Sequence, residues 1–346
     1  MKIIVDAMGG DNAPVSNVRG ALAAAREYNA EIILVGRGEE ILKVLADDGI
    51  GELPSGIEIA HANQVVTMED NPATAFKEKK DSSLTIGLNM LRDGKGDAFV
   101  SAGSTGALLS AATLITKRIK GIRRAALAPV LPGSGAVLID CGATAECTPE
   151  YLLQFAFMGS YYAGHALGKP EPRVGLLNIG AEPSKGTSLQ VETYALLKKA
   201  AEEGRINFVG NVEAREAVEG AVDVIVADGY SGNIMLKTME GTGLLLVGEL
   251  KKVFRKNLKS KLAYLLVKDS IKDMKKLMDS NEVGGTALLG ISKPVIKAHG
   301  SSNDYAIKNA IRQAIQFANS GIIEDIEEHI SYMRLPTKAA AEGEQG

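Results

Sequence analysis

Tryptophan does not occur in this chain, and cysteine occurs twice, as Cys141 and Cys147. Two cysteines in 346 residues, not spaced as CxxC, make no disulfide framework, so both read as reduced thiols outside any catalytic role. No stretch reaches the roughly 18 consecutive apolar residues of a membrane-spanning helix. The opening MKIIVDAMGG carries no long apolar signal segment. A soluble, cytoplasmic chain is the expectation. The net charge is only −3, so no global field attracts nucleic acid. Also missing are a complete GxGxxG, a GxxxxGK followed by Ser or Thr, a GxSxG and an HExxH. Their absence removes the main support for a dinucleotide fold, a P-loop, an α/β-hydrolase and a zinc hydrolase. Asp6 and Asp11 are a weak hint of Mg²⁺, and no metal is expected.

What the chain has in abundance is glycine, 38 residues, much of it at the ends of short apolar runs. KIIVDAMGG leads into SNVRGALAAAREYN, where Ser16 is placed to cap a helix and small residues allow close packing. EIILVG at 31–36 precedes EEILKVLADDG, IEIAHA covers 57–62, and DAFVSAGSTGA covers 97–107. GAVLIDCGA, RVGLLNIGAE, INFVGN, VDVIVADGYSGN and VIKAHGSSN repeat the pattern. Runs rich in Val and Ile without polar alternation are strands covered on both faces. Their succession with helices predicts a three-layer αβα fold with a mainly parallel sheet. Residues 1–336 read as one large α/β unit. LAPVLPGSG at 127–135 marks a transition between halves, and 337–346 reads as a disordered tail.

In such a sheet, ligands bind beyond the strand C-termini. The segments there are GGDN, SAGSTGA, DCGAT, NIGAEPSKGTS, DGYSGN and HGSSN. Glycine lets backbone N–H groups approach an anion, so several such loops on separate strands point to a phosphate or oxyanion site. Gly9 and Gly10 let the first loop bend, Asp11 and Asn12 shape or line the pocket, and Pro14 stiffens the exit; Asp6 is read as structural. Ser104 and Thr105, followed by Gly106, either donate to phosphate or cap the next helix. Lys185, after Gly180 and Glu182, either meets phosphate or a carbonyl oxygen, or forms a salt bridge. Asn233, beside Ser231 and Gly232, either orients substrate or holds a turn. His299 is as readily structural as catalytic.

One segment departs from the acidic average. Residues 251–276 hold ten Lys or Arg against two Asp, a local net of +8. Phe254, Leu258, Leu262 and Leu265 fall at helical spacing, as do Ile271, Met274 and Met278. This predicts a basic amphipathic helical hairpin at about 250–279, its helices meeting near Lys268, Asp269 and Ser270, with LAYLLV at or near the junction. The hairpin is a dimer or core element, a dock for an acidic carrier protein, or a surface for anionic lipid. Leu258, Lys259, Lys261, Leu262 and Leu265 are its contact candidates.

VDAMGGDNAP at 5–14, SAGSTGA at 101–107, NIGAEPSKGT at 178–187 and DGYSGNIMLKTMEG at 228–241 closely resemble the bacterial phosphate acyltransferase family, PlsX. The likeness covers the chain from Met1 to about Leu335, with the motifs in the same order. It implies transfer of a fatty acyl group from acyl carrier protein to inorganic phosphate, giving acyl phosphate for phospholipid synthesis. It further implies a fold like the isocitrate and isopropylmalate dehydrogenases and phosphotransacetylases, a homodimer and no nicotinamide cofactor. Cytoplasmic work with peripheral membrane attachment follows, the product passing to a glycerol-3-phosphate acyltransferase. Phosphate is largely dianionic near neutral pH, its second pKa lying near ~6–7 by analogy with phosphate esters, so no strong base is needed. Lys185, Asn233 and His299 become the catalytic candidates, acting without a covalent intermediate. Gly9, Gly10, Asp11, Asn12, Ser104, Thr105, Gly106, Gly180, Ser231 and Gly232 become the phosphate- or substrate-binding ones. The competing readings are a phosphotransacetylase or phosphotransbutyrylase using acyl-coenzyme A, an NAD-dependent decarboxylating dehydrogenase on the same fold, and a lipid-surface scaffold without catalysis.

Overall fold

The computed structural model describes residues 1–277 and 280–335. Its strands are β1 (Lys2–Asp6), β2 (Glu31–Gly36), β3 (Ile57–His61), β4 (Ala98–Ser101), β5 (Ala126–Ala128), β6 (Val137–Ile139), β7 (Val174–Asn178), β8 (Phe208–Glu213), β9 (Val224–Val226), β10 (Gly285–Leu289) and β11 (Val295–Ala298). They form not one sheet but two. The larger has the order β3-β2-β1-β4-β11-β10-β5, and the smaller β6-β9-β7-β8. Pairing is parallel except around β10, which runs antiparallel to both β11 and β5.

Both sheets are covered on both faces, as their uninterrupted apolar runs require. Successive side chains of a strand point to opposite faces. Ile3 and Val5 therefore enter one hydrophobic cluster and Ile4 the other, and each cluster continues through both sheets. The chain crosses between sheets within LAPVLPGSG. There the Leu138 N–H donates to Pro129 O at 3.0 Å and Cys141 N–H to Leu127 O at 3.2 Å.

The helix Val15–Tyr28 lies against Asp304–Ala318, and a Cβ on Gly20 would stand 2.6 Å from the Cβ of Ile307. Small residues set that approach, as expected. Ser16 is not the cap. It lies inside the first turn, its N–H donating to Asn12 O at 3.0 Å, and Pro14 takes the cap position.

The basic segment forms the end of a long helix, Gly229–Arg255, and a second helix, Leu258–Leu277. Their junction falls at Lys256 and Asn257, not near Lys268–Ser270. The Asn257 side chain accepts from the Ser260 N–H at 2.9 Å, satisfying a donor of the helix that begins there. Phe254 and Tyr264 pack across the turn with ring centroids 5.5 Å apart. LAYLLV therefore lies within the second helix rather than at its end. Leu258, Leu262, Leu265 and Leu266 are exposed there. Met278 and residues 337–346 lie outside the described residues. No helix among the described residues is long and apolar enough to cross a membrane.

Candidate functional site at the strand ends

The six polar loops divide three and three. GGDN, SAGSTGA and HGSSN follow β1, β4 and β11, three adjacent parallel strands of the larger sheet. DCGAT, NIGAEPSKGTS and DGYSGN follow β6, β7 and β9 of the smaller.

On the larger sheet the floor is Asp6, only 3% exposed. Its carboxylate accepts from the Ser101 hydroxyl at 2.7 Å and the Met8 N–H at 3.1 Å. Burial pushes its pKa up, while hydrogen bonds from Ser83, Ser101, Met8 and Gly9 oppose that. With its oxygens committed to the protein, Asp6 joins the ends of β1 and β4. Asn17 adds bonds to Asp6 O at 2.9 Å and Gly9 O at 2.8 Å. Gly10 turns the chain with φ +104°, a conformation suited to glycine. Asp11 N–H then meets Gly300 O at 2.8 Å, and the Asn12 amide donates to the carbonyls of Ser301 and Ser302, each at 3.1 Å. Asn12 thus holds the first and third loops together. Ser104 caps the helix Thr105–Ala111, accepting from Ala107 N–H at 3.5 Å, so its hydroxyl takes the capping alternative. Gly106 faces Pro72, whose ring a Cβ would meet at 2.9 Å.

His299 is exposed at the end of β11. Ser301 N–H donates to its Nδ1 at 3.3 Å, and the Ser301 hydroxyl lies 2.9 Å from the same atom. An Nδ1 that accepts leaves the proton on Nε2.

On the smaller sheet the counterpart of Asp6 is Asp140, fully buried. It accepts from Leu127, Ala143 and Thr144 N–H groups at 2.9, 3.0 and 2.7 Å, tying the two sheets together at their strand ends. Burial drives its pKa up, and those donors work against it. Gly232 lies on its backbone: a Cβ there would stand 1.9 Å from Asp140 O. DGYSGN is not a loop beyond Asp228. That residue caps the long helix, accepting from Ser231 N–H at 2.8 Å, and Asn233 is exposed in the first turns beside Gly142. Lys185 is exposed too, next to Gly180, and makes no ion pair among the described residues. Asn178 fixes its loop by donating to Lys185 O at 3.0 Å.

The long helix connects the two sets. Lys237 on it acts electrostatically on both Cys141 at the end of β6 and Lys297 in β11. Burial pushes the Cys141 thiol up, and it pushes Cys147 up to about 12, so neither supplies a thiolate at neutral pH. Lys297 was not singled out from the sequence. It is only 8% exposed, inside the otherwise apolar strand VIKA. A lysine interrupting a buried strand just before a polar loop was the available signal.

Two mainly parallel sheets, each with three polar loops at its strand ends, define an α/β protein of phosphotransacetylase type in fold. The phosphotransacetylase of Streptococcus pyogenes superposes with a TM-score of 0.63 at 20% identity, over 92% of this chain and 94% of that one. A putative 4-hydroxythreonine-4-phosphate dehydrogenase of Salmonella typhimurium gives 0.53 at 12%, over 91% and 98%. At such identities these likenesses concern the fold alone. Sequence relatedness goes further. Residues 1–325 match the family described as "Fatty acid synthesis protein". The phosphate acyltransferase of Clostridioides difficile (strain 630) is 43% identical over 334 residues, 96% of each chain. That of Alkaliphilus oremlandii (strain OhILAs) is 46% identical over 333 residues, 96% of this chain and 98% of the relative. The chain belongs to this phosphate acyltransferase family, PlsX.

Proposed function

We propose that the protein transfers a fatty acyl group from the thioester of acyl carrier protein to inorganic phosphate, giving acyl phosphate for phospholipid synthesis. The observation that carries this reading is whole-length membership of a family whose relatives are phosphate acyltransferases. A phosphate oxygen attacks the thioester carbonyl, the C–O bond forms, the C–S bond breaks, and the phosphate hydroxyl proton ends on the departing sulfur. Neither cysteine is suited to a covalent relay, which favours direct attack.

The exposure of three polar side chains after the strands supports the roles assigned to them. Lys185, exposed and without an ion-pair partner among the described residues, and Asn233, exposed on the long helix, stabilise the oxyanion that develops on the carbonyl. His299 offers Nε2–H to the same charge. Ile179, Tyr230 and Ile234 are exposed at the ends of the smaller sheet and give the acyl chain an apolar approach. Incubation with acyl-acyl carrier protein and phosphate, with acyl phosphate trapped by hydroxylamine, tests the reaction. Phosphate-dependent hydroxamate is expected; its absence overturns the assignment. Preference for acyl-coenzyme A over acyl-carrier protein in the same assay would favour the phosphotransacetylase-type alternative.

The hairpin is assigned to the anionic membrane surface, with its exposed leucines inserted and Lys259 and Lys261 at the headgroups. Attachment there delivers acyl phosphate to a glycerol-3-phosphate acyltransferase from the cytoplasmic side. Leu244, Leu245 and Leu246, exposed around one turn of the long helix, are assigned to contact with a second copy in a homodimer. Light scattering on the purified protein tests that assembly.

A further inference from the structure

Lys297 is a buried cation whose charge Asp6 and Asp11 favour electrostatically, but no carboxylate among the described residues pairs with it directly. Its Nζ donates to the backbone carbonyls of Ala298 and, at 3.5 Å, of Ala102, and it forms no ion pair among the described residues. Carbonyls satisfy N–H groups but do not neutralise a charge, and a buried ammonium left uncompensated is costly. The nearby carboxylate of Asp6 is already occupied by Ser101, Met8 and Gly9. An ammonium has three donors, and two are spent here. A second group, in the loop after β11, is without a partner: the Ser302 hydroxyl, in a residue 4% exposed, has no hydrogen-bond partner among the described residues. These two groups belong to the β11 strand and loop, beside the close-packed turns after β1 and β4.

We propose that Lys297 is a phosphate anchor at the strand ends of the larger sheet, its third N–H directed to the attacking phosphate and the Ser302 hydroxyl donating to the same anion. This rests on the acyl-transfer reading for the anion's identity, and it divides the labour. Lys297 on the larger sheet holds the nucleophile, while Lys185 and Asn233 on the smaller sheet meet the carbonyl oxygen. A phosphate dianion supplies the directly bonded anion that the buried ammonium lacks among the described residues.

The site should then respond to pH. Burial draws the Lys297 ammonium down to about 8; Asp6 and Asp11 oppose that shift, and Lys237 on the long helix adds to it. Below this value the ammonium is charged and holds phosphate. Above it, the amine is neutral and the anchor is lost, although phosphate remains dianionic.

The test is calorimetric titration with inorganic phosphate alone, which needs no acyl donor, beside the hydroxamate assay. At pH 7, Lys297→Met is expected to weaken phosphate binding by about tenfold or more, the loss of a charge-assisted bond. Ser302→Ala is expected to weaken it by a few-fold. Affinity of the unaltered protein should fall as pH rises through about 8. Lys297→Arg should retain affinity at pH 9, since a guanidinium stays charged. In turnover, Lys297→Met should raise the phosphate KM far more than it lowers kcat, a split that a purely structural lysine would not give. Should Lys297→Met fail to fold, the Ser302→Ala comparison and the pH titration of the unaltered protein decide. Phosphate affinity unchanged in Lys297→Met, or no decline above pH 8, overturns the anchor. Normal phosphate binding without hydroxamate supports the anchor and counts against acyl transfer.

Discussion

Gly232 shows how little latitude single residues have at the strand ends. Its missing side chain lets the long helix start against Asp140, and the atom a Cβ would strike is a backbone oxygen that cannot rotate away. Gly232→Ala is expected to destabilise the fold by about 1–3 kcal/mol through overpacking, seen as a lower melting temperature. An unchanged melt would mean the helix start shifts freely. Lys185→Ala and Asn233→Ala are expected to keep the native melt and to lower kcat by about 10²–10³, the usual effect of losing an oxyanion donor. Near-normal turnover in both would end their catalytic assignment. At this scale the sequence was legible where a residue type is rare and punctuating. Asn12, Ser104 and Gly106 read equally well as ligands or as caps and contacts, and the structure finds them bonded or packed within the protein. Lys297 was overlooked because an apolar run masks a single charge within it.

At the scale of elements, strands without polar alternation were recognisable because burial on both faces demands such runs. Their orientation was not: nothing in GTALL distinguishes antiparallel β10 from a parallel neighbour, since pairing depends on partners distant in sequence. The hairpin's two helices were visible in their spacing, but the junction was misplaced. Lys268, Asp269 and Ser270 resemble a break, whereas Asn257 makes one by capping. Leu262→Glu with Leu265→Glu is expected to abolish flotation with vesicles containing anionic lipid while leaving activity on soluble acyl-carrier protein intact. Unaltered flotation would dismiss the membrane role. Another element-scale device lies at the N-terminal ends of the smaller sheet. Burial alone would raise the Asp223 pKa, but Arg173 and Lys169 outweigh it and hold it at about 2. A carboxyl depressed on folding stabilises above its unfolded pKa and loses that contribution as pH falls through the folded value. Asp223 therefore supplies about 2 kcal/mol at neutral pH, lost between about pH 4 and 2. Asp223→Asn should flatten the acid limb of the stability curve, measured by denaturant titration at each pH. A limb unchanged by the substitution would assign acid sensitivity elsewhere.

For the whole molecule, the αβα class and the gathering of glycine-rich loops at strand ends were legible, because both follow from the order of runs. The division into two sheets was legible only as two prolines near residue 130. Which loops would share a sheet was not, because β11 returns to β4 across nearly 200 intervening residues.

That return has a consequence for synthesis. The smaller sheet is inserted into the larger one, so an emerging chain forms β1 to β4 early but leaves the outer side of β4 unpaired until residues 285–298 leave the ribosome. An open strand edge of this kind invites pairing with other chains. A fragment stopping at residue 283 is therefore expected to aggregate, although it contains every strand of the smaller sheet. Closure of the larger sheet thus waits for β11, which ends at Ala298, so no product cut short before it carries the full set of strand-end loops.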